Sequence, residues 1–175
     1  MKRVLRILLV IFIIILSYVI QTGIFPYLAL GGIKPNLLLI VTASLGYFLG
    51  DRGGIAAGLL CGFLWDLFSG PLFGLEMIIL SLTGYLCGKF RRLLYVEDFA
   101  FPAALVCISD LFFGFLNYVA LFLFRGRLNL PSWFRLVMLP EMLYTVLVSV
   151  PVFALLRLVY DRWIRIRPSQ ISETL

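Results

Sequence analysis

The chain has 175 residues, of which 62% are hydrophobic and only 14% charged, and its mean hydropathy is +1.06. A soluble domain carries about 25% charged residues, so this composition excludes a water-solvated surface and makes lipid the solvent for most of the chain. The net charge is +6, but the bases sit at the ends of apolar runs, where they act as topology signals rather than as a nucleic-acid surface.

A helix needs about 20 apolar residues to cross the hydrocarbon. The sequence predicts an all-α integral membrane protein with six such helices in one compact domain. Lys2, Arg3 and Arg6 open the first span, residues 4–22. This stretch resembles a secretory signal, but it stays apolar past Ile20 and lacks an A-x-A site, so it reads as an uncleaved helix. The second span, residues 36–50, is short and follows Pro35. A turn at Asp51 and Arg52 leads to the third, residues 53–69. The fourth covers residues 72–88, the fifth 99–124 and the sixth 136–160. Residues 165–175 form a short cytoplasmic tail. Several spans are at or below the usual length, which tilt or local thinning of the bilayer accommodates.

Lys and Arg set the orientation. With the N-terminus inside, the inner segments hold Lys2, Arg3, Arg6, Arg52, Lys89, Arg91, Arg92, Arg157, Arg162, Arg165 and Arg167, which is 11 of the 15 bases. Lys34, Arg125, Arg127 and Arg135 fall outside. The imbalance predicts both termini in the cytoplasm.

Glycines recur at every fourth position, at Gly46, Gly50, Gly54, Gly58 and Gly62, and Asp66 and Gly70 continue the spacing. Residues four apart form a ridge along one helix face, and small residues there let another backbone approach closely. The turn at Asp51 and Arg52 divides this ridge in two, and Gly84 with Gly88 adds a third on the fourth span. Such a ridge serves packing within the chain or a groove for a partner's helix.

Four carboxylates lie within spans: Asp66, Glu76, Asp110 and Glu141. An ionised acid at mid-membrane costs roughly 2.5–3.5 kcal/mol on insertion scales, so each is expected to face protein or water. Asp66, Glu76 and Glu141 fall in the outer half. Asp110 lies near the midplane, with Asn117 on the same face at i+7. Each acid can serve as an interhelical hydrogen-bonding group, as a proton or cation site, or as a partner contact. Asp66 is expected to fix the turn between the third and fourth spans through backbone donors or a nearby hydroxyl.

Catalytic chemistry has little to build on. Histidine is absent, and no phosphate loop, H-E-x-x-H or nucleophile beside a base occurs. Cys61, Cys87 and Cys107 sit in apolar runs without C-x-x-C spacing. No enzyme activity, cofactor or metal is expected.

Residues 34–88 resemble the rod shape-determining MreD family. The resemblance is carried by Lys34-Pro35-Asn36-Leu37-Leu38, by Gly54-x-x-x-Gly58-x-x-x-Gly62-Phe63, and by Trp65-Asp66-Leu67-Phe68-Ser69-Gly70. Leu72-Phe73-Gly74 and Gly84-Tyr85-Leu86 complete it, and a weaker echo between Leu143 and Phe153 includes Tyr144 and Pro151. The resemblance implies a multi-pass subunit of the bacterial inner membrane that acts in cell elongation. It implies partnership with the bitopic MreC protein, the MreB filament and peptidoglycan synthases, in contact with membrane lipids. It assigns no catalytic residue. The family is also similar in architecture to the substrate-binding subunits of energy-coupling-factor vitamin transporters. Two readings follow: a membrane scaffold binding MreC, with Pro35, Asn36, Gly54, Gly58, Gly62, Asp66, Gly70, Gly74 and Gly84 as packing or partner residues, or a binding subunit for a vitamin-like small molecule.

Overall fold

Among the 13 residues of Leu37–Leu49, polar groups are limited to Thr42, Ser44 and Tyr47, and a helix apolar on every side belongs inside a protein. The computed structural model places this segment, α2, at the centre of the molecule. The structure describes residues 2–27, 29, 33–68, 73–93, 100–125 and 138–164. Within them the helices are α1 (Lys2–Gly23), α2, α3 (Asp51–Phe68), α4 (Leu75–Leu93), α5 (Ala100–Arg125) and α6 (Leu139–Val159). A π-helical turn at Tyr160–Ile164 extends α6.

Eleven of the residues of α2 are buried, and α2 packs against all five other helices. Those five follow one another around it, with α1 on α3, α3 on α4, α4 on α5 and α5 on α6. At about 1.5 Å per residue, α2 is near 20 Å long, well short of a hydrocarbon core of about 30 Å. Its N-terminus therefore ends inside protein, where water cannot satisfy the first N–H groups. Side chains from three helices do so instead. The Asn36 carboxamide caps Leu39 N–H at 3.1 Å, Gln21 of α1 accepts from Leu38 N–H at 2.8 Å, and Thr145 of α6 accepts from Asn36 N–H at 3.3 Å.

The other end of α2 is held by rings. Phe48 lies 4.9 Å from Phe153 and stacks at 4.9 Å on Tyr160, fastening α2 to the C-terminal part of α6 and the turn that extends it. α1 turns Ile14, Ser17 and Gln21 inward, at helical spacing, and presents Val4, Leu5, Leu8, Phe12 and Val19 outward. Among the described residues, 4–23 and 139–162 are the two stretches of helix that are long and apolar enough to span a bilayer by themselves.

The helix boundaries correct the expected turns. α2 and α3 are separated by Gly50 alone, while Asp51 and Arg52 already belong to α3. Gly50 has a φ of +81°, which an L side chain rarely adopts, and it serves both helices. Its N–H donates to Gly46 O at 2.9 Å, and its carbonyl accepts from Gly54 N–H at 2.7 Å. α4 starts at Leu75 instead of residue 72, and it runs on to Leu93, beyond the expected end at Gly88.

Candidate functional site

The glycine ridge faces α4 of the same chain. A methyl group placed on Gly54, Gly58 or Gly62 would lie under 3.0 Å from α4 backbone, against Gly84, Leu80 and Ser81, or Met77 and Glu76 respectively. Going the other way, one on Gly84 would strike Gly54, and one on Gly88 would strike Gly50 and Asp51. The three short ridges of the sequence thus merge into one antiparallel seam. Gly46 joins it from α2, where a methyl would sit 2.6 Å from Gly84 O. Around Gly46, Gly54 and Gly84, the backbones of three helices meet. Between helices in lipid, close packing of this kind is a main attractive force.

Asp66 stands at the end of the seam, 6% exposed. Its carboxylate accepts from Gly74 N–H at 2.9 Å, Met77 N–H at 3.0 Å and Glu76 N–H at 3.2 Å. These are the first donors of α4. Gly74 occupies the N-cap position with φ +97° and has no side chain to offer, so Asp66, eight residues back, caps α4 in its place. A carboxylate there also meets the positive end of the helix dipole. Pro35 and Asn36 are buried at the head of α2. Gly70 lies outside the described residues, as do Arg127, Arg135 and the tail at 165–175.

The remaining acids gather where α4 and α6 begin. Glu76, on the first turn of α4, is 5% exposed and lies near Asn117 of α5. It lies close enough to Asp66 and Glu141 to feel their charges. Asp110, also 5% exposed, feels Glu141 in the same way. Packing explains this pairing. Gly114 of α5 abuts Met138, and Cys107 lies 3.6 Å from Met142, so Asp110 comes level with Glu141 between them. Two helical turns separate Asp110 from Asn117, and the pattern that put them on one face of α5 carries the cluster from Glu76 inward. No group of three His, Cys, Asp or Glu residues could hold a metal ion among the described residues.

Sequence reasoning singled out Asn36 but missed its neighbours Gln21 and Thr145. The signal was present, since Gln21 is the one carboxamide of the first helix. Cys87 pairs with Ser109 at 3.2 Å, and all three cysteines are free.

The family model for the rod shape-determining protein MreD matches residues 1–160. The chain belongs to the MreD family. It is therefore a membrane protein involved in rod shape determination, and the match extends well beyond the 34–88 stretch that carries the motif. No curated protein and no solved structure matches the chain. In this MreD-family protein, the motif residues Gly54, Gly58, Gly62 and Gly84 form the α3–α4 seam, and Asp66 caps it.

Proposed function

We propose that this chain is a non-enzymatic scaffold of the cell-elongation complex. It crosses the bacterial inner membrane six times with both termini inside, binds MreC through that protein's transmembrane helix and flanking segments, and so helps direct peptidoglycan synthesis near MreB. The observation that carries this reading is the engagement of the family motif: its glycines pack helix on helix and its acid caps a helix, which are structural tasks. The basic segments at the ends of α1, α4 and α6 suit the anionic inner leaflet. The likeness to energy-coupling-factor subunits is a proposal about shape, and a shared shape transfers no substrate.

The test is co-purification in mild detergent with MreC, full-length or with its transmembrane helix replaced by an unrelated one. The scaffold reading expects recovery of the first and loss of the second, together with restored rod shape in cells depleted of their own MreD-family protein. Restored shape without any MreC recovery would overturn the proposed partnership.

A further inference from the structure

The seam fixes how tall the α3–α4 pair can be. Gly88 lies against Gly50 and Asp51 at one end, and Asp66 meets Gly74, Glu76 and Met77 at the other. Exposed Arg52 and Lys89 bound the apolar surface at the first end. From Gly53 to Phe68, α3 is about 24 Å long, and from Leu75 to Gly88, α4 is about 21 Å long. α1, apolar from Val4 to Gly23, reaches about 30 Å, the thickness of a hydrocarbon core.

Two contacts set the relative heights. The Tyr18 ring lies 5.7 Å from that of Phe68, so α3 ends level with Tyr18. Counted down both helices at equal rise, Arg52 comes level with Lys2, so α1 and α3 share an inner edge. Beyond Tyr18, α1 continues to Gly23, about 8 Å further, with Val19 and Ile24 exposed. On the other side of α2, Thr145 is level with Asn36, and α6 begins at Leu139, about 9 Å beyond Thr145, with Leu143 exposed. The apolar belt is therefore stepped at its outer edge, tall along α1 and α6 and short along α3 and α4. Tilt does not remove the step, because it lowers the vertical reach of a helix that is already short. Nor does snorkelling, because residues 69–74 include no lysine or arginine to reach the headgroups.

We propose that the α3–α4 face is a lipid-contact surface that holds the outer leaflet locally thin and prefers short acyl chains. This rests on the six-span topology, which places the step on the outer side. The occupant is lipid rather than another helix. The glycines that would admit a backbone are used inside the seam, and the face itself presents the larger side chains Leu59, Phe63, Ile78 and Leu82.

The test compares two positions of nearly equal height on the protein. Spin labels are placed on Val19→Cys, 56% exposed in the parent, and on Phe68→Cys, 67% exposed. The full chain carries Cys107→Ala and is reconstituted in vesicles of long-chain phosphatidylcholine. In a flat bilayer the two labels share one depth. The thinned leaflet instead makes the label at 68 severalfold more accessible to a water-soluble relaxing agent, and leaves the label at 19 accessible to oxygen dissolved in lipid. In vesicles of short-chain phosphatidylcholine the difference should shrink, because the whole bilayer then approaches the height of α3 and α4. Should Phe68→Cys fail to fold, exposed Phe73 on the same face supplies Phe73→Cys in its place. Equal depths in long-chain vesicles would overturn the proposal. So would spin–spin broadening at 68 that grows with chain length, which would show a second copy covering the face. A periplasmic C-terminus in reporter fusions would sink the topology and the outer placement together, whereas equal depths with a cytoplasmic C-terminus sink the thinning alone.

Discussion

Replacing Gly58 by alanine asks directly whether the seam is packed. In a helix exposed to lipid or water, alanine is favoured over glycine by about 1 kcal/mol, so an unpacked Gly58 would gain stability from the change. On the seam, the added methyl meets the Leu80 carbonyl group and lies 2.6 Å from Ser81 Cα, whereas ordinary van der Waals contact begins at 3.4 Å. These are backbone atoms, which cannot rotate away, so α3 and α4 must part along their length. Overpacking costs about 1–3 kcal/mol, and after the propensity gain a net loss of about 1 kcal/mol is expected for Gly58→Ala. Gly58→Leu adds three further carbons and should cost about 3 kcal/mol or more. Gly23→Ala is the control, because nothing lies within 4 Å of its added methyl, and it should stay within about 0.5 kcal/mol of the parent. Thermal unfolding in nanodiscs, followed by the fraction that remains monodisperse, reads all three. A Gly58→Ala variant more stable than its parent would refute the packed seam.

Asp66→Leu leaves the N–H groups of Gly74, Glu76 and Met77 without an acceptor, and at about 1–3 kcal/mol each it should collapse the membrane level of the protein. Asp66→Asn keeps one oxygen able to serve Gly74 and Met77, so it should lose only about 1–2 kcal/mol and still restore cell shape; lost shape at normal protein level would mean that the charge itself is needed. Gln21→Leu strands Leu38 N–H inside the bundle and should cost about 1–3 kcal/mol in the same unfolding assay, and an unchanged midpoint would show that another group caps α2. For topology, reporter fusions at Arg52, Lys89 and the C-terminus should report cytoplasm and one at Arg127 the outside, and a periplasmic C-terminus would refute the six-span arrangement.

Helix number and order were legible because apolar runs and flanking bases state them directly. Helix ends were not, because a span ends where lipid ends and a helix ends where its caps are. α4 shows both errors. Lys89, Arg91 and Arg92 stop the apolar run yet are good helix formers, so the helix continues to Leu93. Its start is fixed by Asp66, eight residues away, and no local pattern reveals that. The turn between α2 and α3 was assigned to the charged pair Asp51 and Arg52, although Gly50 supplies the backbone angle. The acid cluster was half legible. The i+7 spacing aligned Asp110 with Asn117, but the approach of Glu76 and Glu141 depends on how α4, α5 and α6 pack, which the sequence of one helix does not contain.

The capping arrangement bears on where a partner can bind. A helix that stops short of the membrane surface must find acceptors for its first N–H groups, and this chain finds them in two ways. α2 borrows side chains from α1 and α6, and α4 uses Asp66 of α3. Both solutions tie neighbouring helices together, and with the glycine seam they make α2, α3 and α4 a unit whose small residues are already spent on one another. The outward faces of α1, with Val4, Leu8 and Phe12, and of α6, with Leu143, Leu147 and Leu158, remain apolar and uncommitted by any such cap. Under the scaffold reading, a partner helix therefore meets side chains on these longer helices, and the glycines support it only by keeping the central unit rigid.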